Sequence, residues 1–313
     1  MYSRNVYREI SSLEADLGYS AKILYTLSNS VGKHYKCVKI PKREEGEFRT
    51  LFVPDDFLKA VQRSIAEHLL SFEKISPYAT AYRFGGSTVA NAVPHVGKDN
   101  LLKLDIRHFF DGIIYPIVKE KVFSAEKYAE SLRVLLTLLC VYKDSIPQGA
   151  PTSPAISNIV MYDFDMSLGE WCSRRGITYT RYCDDMTFSG SFDPGPVIEF
   201  VREKLAGQGF FLNEKKTVFV HDGQRKSVTG ITVNEKINIS PSYKRKIRQE
   251  MYYCMKYGIR SHMEKCGITG SPESYIQKLL GRVSYVLSVC PCDEFIGYRN
   301  WLISGKKRIS GEV

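Results

Sequence analysis

Two adjacent carboxylates, Asp184 and Asp185, stand between ITYTRY and MTFSG in the stretch ITYTRYCDDMTFSG, residues 177–190. The flanks are rich in the aromatic and β-branched residues that suit a pleated surface, so the pattern predicts a hairpin with Cys183, Asp184 and Asp185 at its tip. Hairpin turns favour Asn-Gly or Asp-Gly, and a second Asp where Gly would relieve strain calls for another reason. A further carboxylate, Asp105, interrupts the apolar run Leu101, Leu102, Leu104, Ile106 in NLLKLDIRHFFDGI, which reads as a buried strand. A lone carboxylate in such a strand is costly, so it needs a cation or a hydrogen-bonding partner. If that strand lies beside the hairpin, three negative charges share one place, and a divalent metal resolves their repulsion. Mg²⁺ takes octahedral oxygen ligands, typically one or two carboxylates with substrate phosphates. Two such ions roughly 3.5–4 Å apart stabilise the attacking and leaving oxygens of an in-line phosphoryl displacement. For Asp105 taken alone, a strand-end carboxylate paired with Lys or Arg is the alternative.

Other elements have to position these groups. Between the two acidic sites, IPQGAPTSPAISN carries Pro147, Gly149, Pro151 and Pro154, an irregular rigid loop that delivers a helix N-terminus suited to a phosphate or sugar; a surface connection is the other reading. SPAISNIVMYDFDMSLGEWCSRRG predicts one long helix from an N-cap at Ser153 to Gly176, running into the hairpin. PDDFLKAVQRSIAEHLLSF places Leu58, Val61, Ile65, Leu69 and Phe72 on one stripe, and SAEKYAESLRVLLTLLC predicts a helix capped by Ser124. YKCVKIPKREEGEFRTLFVP reads as two strands joined by a charged Glu-Gly turn, and everything after Ser240 as helix, with two Ser-Pro starts.

Composition is that of a globular chain. Of 313 residues, 43% are apolar and 25% charged, which is ordinary for packed units with sizeable cores. Forty-four Lys and Arg against 34 Asp and Glu give +10, a tilt toward a polyanionic partner. The N-terminus lacks a signal-peptide core, and the longest apolar run, LRVLLTLLCVY, is too short to span a bilayer. Eight cysteines include no CxxC pair, and CPC at Cys290–Cys292 lacks companion zinc ligands, so reduced thiols and a cytoplasmic setting are expected.

In order along the chain, LDIRHFF, PQGAPTSP, RYCDD, GFFLNEKKT and VTGITVN resemble the reverse transcriptase family, over about Lys36 to Asn234. The resemblance implies an α+β right-hand polymerase: an RNA-directed DNA polymerase with fingers, a palm of antiparallel sheet flanked by helices, and a helical thumb. Its divisions would be N-terminal helices and fingers at 1–98, first palm segment 99–115, second fingers segment 116–147, remaining palm 148–239 with the YCDD hairpin and VTG region, and thumb 240–313. It implies that Asp105, Asp184 and Asp185, with the main-chain carbonyl of Ile106, hold two Mg²⁺ ions, for which Mn²⁺ could substitute. Lys42 or Arg43, with Arg49, would grip the triphosphate of a deoxynucleoside triphosphate, where forked donors suit phosphate oxygens. Gln148 would line the nucleotide pocket. Lys216 matches a lysine proposed to protonate the leaving pyrophosphate, a solvated lysine beside Lys215 being the alternative. Phe110 matches the aromatic side chain that excludes ribonucleotides, with core packing beside Phe109 as the other reading. Cys183 stands where bacterial relatives more often have Ala and reads as a small spacer, and Asp111-Gly112 replaces a usual Pro-Ser pair.

The segment after VTG suits a helical thumb and not an added nuclease domain, and NAVPH (Asn91, His95) with Val228, Thr229 and Gly230 resembles the retron branch. That branch implies a cognate structured noncoding RNA, priming from a 2′-hydroxyl within it, a branched RNA-linked single-stranded DNA product (msDNA), an effector protein from the same locus and a role in antiphage defence, with no membrane partner. His95 taken alone is more often a hydrogen-bonded core or helix-start histidine than an RNA contact, and it is the company of Asn91 and VTG that favours the functional reading. Tyr243, Lys244, Arg245, Lys246 and Arg248, with Tyr252, Tyr253 and Tyr257, mix basic and aromatic side chains as RNA contacts do. Alternatives are an abortive-infection or group II intron-like reverse transcriptase with a different primer, or a nucleic-acid-binding scaffold controlling a partner protein.

Overall fold

The computed structural model describes residues 6–41, 46 and 48–310, with 306–310 in backbone only. The chain divides into two compact units, one formed by Met1–Gly86 and Leu102–Phe219, the other by Ser87–Leu101 and Val220–Val313. Segments 87–101 and 220–239 pack with the C-terminal helices.

The first unit is built on an antiparallel sheet. Its strands are β3 (Asn100–Arg107), β4 (Thr178–Tyr182), β5 (Asp185–Gly190), β6 (Phe211–Leu212) and β7 (Val218–Val220), in the order β4-β5-β3-β6, with β7 also against β3. The preceding strands β1 (Tyr35–Pro41) and β2 (Phe48–Pro54) form a separate hairpin, in register from Tyr35↔Pro54 to Pro41↔Phe48. β3 is buried along most of its length, because Leu102, Leu104 and Ile106 join Phe164, Leu168 and Phe188 in one core. That burial makes a carboxylate at Asp105 conspicuous.

Local sequence explains most element boundaries, and tertiary contacts move the rest. Asp55 caps the helix Asp56–His68 by accepting from the Leu58 amide at 2.9 Å, and Leu58, Val61 and Ile65 are buried as the stripe predicts. Phe72 departs from it at 64% exposure, because the helix ends at His68 and a 3₁₀ turn over Leu70–Phe72 shifts the phase, burying Leu70 instead. Ser124 does not cap the next helix, which runs Glu130–Cys140. It closes a turn with Lys127 and Tyr128, where Tyr7 exchanges backbone hydrogen bonds with Lys127 and Ala129 and holds the chain out of the helix. The long helix predicted from Ser153 is two, Ser153–Val160 and Tyr162–Ser173, with Thr152 in the capping position. The break at Met161 follows a run of residues with modest helix propensity, Ile156 to Val160.

The loop before that helix is clamped to the β1–β2 hairpin. The Phe52 amide donates to the Gln148 carbonyl at 3.0 Å. Gly149 adopts φ +123, and a Cβ there would lie 2.9 Å from the Phe52 carbonyl oxygen, so the close approach requires glycine. This contact fixes the Gln148 backbone against the hairpin strand that carries Arg49.

The second unit holds the helices Pro241–Tyr257, Ile259–Lys265, Pro272–Val289 and Asp293–Ser310, the short helix Thr88–Ala92, and the small hairpin β8 (Ser227–Val228) and β9 (Ile231–Thr232). Ser240 and Ser271 cap the two Ser-Pro starts, accepting from the amides of Tyr243 and Ser274. All eight cysteines are free thiols.

Candidate active site

The hairpin tip is formed by Cys183 and Asp184, with Tyr182 paired to Asp185 across it. The left-handed backbone falls on Cys183, at φ +62, and not on either Asp. Turn strain is therefore carried by a small buried side chain. Burial, and then the charge of Asp184, push the Cys183 thiol up to about 12, which fits a spacer and not a nucleophile.

The Ile106 amide donates to the Asp184 carbonyl at 3.1 Å, which ties β3 to the turn and brings Asp105 beside the pair. Asp105 is only 5% exposed. It accepts from Asn213 Nδ2 at 2.9 Å and from Lys216 Nζ at 2.8 Å, so here the carboxylate has the lysine partner that the simple pairing alternative calls for. Part of Asp185 reaches solvent, yet crowding by protein atoms, then the charges of Asp184 and Asp105, push its carboxyl up to about 6, against Lys216 and Lys103. Three carboxylates thus share one field. Lys216 is raised chiefly by its hydrogen bond to Asp105, and Lys103 is lowered by burial.

A cavity of about 850 Å³ opens over this corner. Asp105, Ile106, Asp184, Arg49, Phe110, Gln148 and Lys216 all line it; Asp185 does not. Lys42 and Arg43 lie outside the described residues. Phe110 is half-buried and meets Phe109 edge-on at 5.5 Å, so its ring both packs and faces the cavity. Asp111 lines the cavity's edge within 3.5 Å of His108, and a Cβ on Gly112 would meet the Phe210 ring at 2.9 Å.

Beneath the turn lies a group that motif reading missed. Arg181 and Asp165 are fully buried and joined by two hydrogen bonds, Nε to Oδ1 at 2.8 Å and Nη2 to Oδ2 at 2.6 Å. Tyr179 donates to the same carboxylate at 2.9 Å. The signal in the sequence was charge where the pattern asks for apolar residues, Arg181 within a strand and Asp165 between Phe164 and Leu168 of a helix. Asn213 was missed too, three residues before Lys216.

The residues singled out for RNA recognition lie in the second unit. The Thr229 hydroxyl donates to the Thr88 carbonyl at 3.1 Å, joining the β8–β9 turn to the helix that carries Asn91. Asn91, His95 and Val228 are wholly buried, so their side chains shape this corner from inside; Thr229 and Gly230, at φ +46 and +82, form its outer turn. Burial, then Lys98, push His95 down to about 4, leaving it neutral at pH 7. On the helix Pro241–Tyr257, Tyr243 packs edge-on to Tyr285, Lys244 donates to Asn238 at 2.7 Å and Arg248 pairs with Glu294 at 2.8 Å. Arg245 and Lys246 are exposed, as are Tyr252 and Tyr257.

With this geometry in place, comparison with known proteins gives the family. The family described as reverse transcriptase (RNA-dependent DNA polymerase) matches residues 40–275. The chain is 28% identical over 274 residues to the retron Ec86 reverse transcriptase of Escherichia coli, covering 86% of this chain and 81% of that one. It is 33% identical over 240 residues to the retron Ec83 enzyme of Escherichia coli, covering 71% and 76%. With the retron Mx65 enzyme of Myxococcus xanthus it shares 33% over 277 residues, 80% of this chain and 64% of that one. The chain belongs to the reverse transcriptases, and within them to the retron type.

It is accordingly an RNA-directed DNA polymerase with the right-hand polymerase fold, and its family implies dependence on a divalent metal. Among the described residues no three acidic, His or Cys side chains are gathered ready around one ion. The donor set nevertheless fits: carboxylate oxygens of the kind hard cations take, mutually repelling, with the Lys216 ammonium at 2.8 Å supplying positive charge to Asp105. No helix among the described residues is long and apolar enough to cross a membrane.

Proposed function

We propose that the cavity over Asp105 and Asp184 is the nucleotidyl-transfer site, and that the enzyme uses it to copy a cognate structured RNA from a 2′-hydroxyl within that RNA, giving msDNA. The observation that carries the site is the convergence on one cavity of Asp105, Asp184, Arg49, Gln148 and Lys216. Asp105, Asp184, Asp185 and the Ile106 carbonyl would hold two Mg²⁺ ions, which when bound supply Lewis-acid stabilisation of attacking and leaving oxygens. Arg49 binds the triphosphate by forked hydrogen bonds. Gln148, fixed by its backbone contact to Phe52, lines the nucleotide's place. For Asp105 to act as a ligand it gives up Lys216 Nζ, which then turns to the phosphates and delivers a proton to the leaving pyrophosphate. Phe110 borders the sugar and excludes a 2′-hydroxyl. Phe110→Val is expected to raise ribonucleotide incorporation while deoxynucleotide addition persists; single-nucleotide extension with the two nucleotide kinds checks this, and unchanged discrimination removes Phe110 from the role.

The retron reading is supported by the three retron enzymes above, and by Asn91, His95 and Val228–Gly230 gathering in one corner. Exposed Arg245 and Lys246 suit the phosphates of the RNA. The proposal extends to an effector protein from the same locus, antiphage defence and a cytoplasmic setting. The test is to express the chain with the structured noncoding RNA encoded beside its gene and to extract small nucleic acids. A single-stranded DNA whose mobility changes after debranching is expected; DNA carrying no 2′-linked RNA rejects the priming mode.

A further inference from the structure

The buried Arg181–Asp165 pair raises a question that stability does not answer. Replacing a buried ion pair by apolar residues of similar volume is often neutral or stabilising, so the charges are weak evidence of a contribution to folding. What an apolar side chain cannot do is donate hydrogen bonds. Beyond its two bonds to Asp165, Arg181 Nη1 donates to the Cys183 carbonyl at 2.9 Å, and Nη2 reaches Asn158 Oδ1 at 3.3 Å. Cys183 is the residue held in the left-handed region, which costs any side chain other than glycine. The carbonyl gripped by Arg181 is therefore that of the strained residue, immediately before Asp184.

The grip is itself anchored. Asp165 takes Tyr179 as well as Arg181, and both come from the strand that leads into the turn. Asn158 Nδ2 donates to the Ala81 carbonyl at 2.9 Å, and the Thr80 amide and hydroxyl donate to the Arg181 carbonyl at 2.8 and 3.0 Å. One planar guanidinium thus links two helices, through Asp165 and Asn158, to the turn, while the irregular segment at Thr80 and Ala81 braces the Arg181 main chain and Asn158, a task for which the rigid fork of donors is suited.

We propose that Arg181, oriented by Asp165 and Asn158, is a positioning residue that holds the Cys183 turn in its left-handed conformation and so aims Asp184 and Asp185. This rests on those two aspartates being the metal-holding pair. Arg181→Met combined with Asp165→Leu removes both charges at roughly constant volume. The folded double variant is expected to lose roughly 10- to 100-fold in kcat for single-nucleotide addition, the scale of a small misplacement of reacting groups. Its KM for the nucleotide is expected to change less than about threefold, because Arg49 and Gln148, which in the proposed site contact the nucleotide directly, are untouched. Mn²⁺ affinity, read by electron paramagnetic resonance, is expected to fall with kcat. Adding Cys183→Gly is then expected to recover a large part of both, since glycine takes a positive φ without support. A structural role alone gives no such rescue. If the double variant does not fold, Arg181→Lys, whose single ammonium cannot serve Asp165 and Cys183 together, is carried through the same series. A folded variant with kcat within about threefold of wild type, or a loss that glycine does not restore, overturns the proposal. Asp184→Asn in the same assay separates the two readings. If it retains synthesis, the metal-holding assignment fails; if it is inactive and glycine gives no rescue, only the positioning role fails.

Discussion

Asp184→Asn is expected to abolish synthesis on every primer and template. The change is nearly isosteric, and the Asp184 main chain keeps its place because its carbonyl accepts from the Ile106 amide at 3.1 Å. What is lost is the negative charge and one good oxygen donor. An amide still offers an oxygen, but the electrostatic stabilisation of transferring phosphoryl oxygens through a bound divalent ion is worth several kcal/mol, so the loss is on the order of a thousandfold or more. It should appear equally with an annealed primer on an RNA template and with self-primed synthesis, since the carboxylate acts on metal and phosphate whatever carries the hydroxyl. Single-turnover extension with both substrates, alongside a melting curve, is the measurement. Retention of more than about a tenth of the wild-type rate would remove Asp184 from the ligand set.

The second large effect is on stability. Arg181→Met made alone leaves Asp165, wholly buried, with a negative charge and only Tyr179 to answer it. Breaking a buried pair from one side typically costs about 3–5 kcal/mol. For a unit of this size, that corresponds to a fall in Tm of roughly 6–20 °C. The paired replacement with Asp165→Leu should recover most of it, so the two single variants and the double define a coupling of several kcal/mol. Thermal unfolding followed by circular dichroism checks this. A single-variant loss below about 1 kcal/mol would mean that water or a shifted proton satisfies Asp165, contrary to its burial. The contrast matters for the turn as well, because stability should recover in the double variant while synthesis should not.

The acidic hairpin, the Asp in a buried strand and the proline-rich loop were legible because each asks for particular residue types at short range. Asp184 and Asp185 stand side by side, and Asp105 breaks an otherwise apolar run, so the sequence alone determined that these carboxylates would need a partner for their charge. Motif order did the same for the family. The Ser-Pro helix starts were equally local, since a capping hydroxyl acts within three residues of itself.

Other features depended on partners far along the chain. Ser124 has the type of a cap, but the segment at Tyr7 holds Lys127 and Ala129 out of the helix. Phe72 fits the helical stripe, yet the helix stops before reaching it. Asn91 and His95 were read with the RNA-recognition motif, His95 also as a core histidine, and both are interior residues, because burial is set by what packs on them and not by their own polarity. Lys216 lies 111 residues from Asp105, and Arg181 lies 16 from Asp165. A charge in an apolar pattern announces that a partner exists. Which partner it is, and that Arg181 also reaches back to the strained carbonyl two residues ahead, was decided only when the strands and helices packed, because a buried charge is tolerated only where the fold brings its donors and acceptors together.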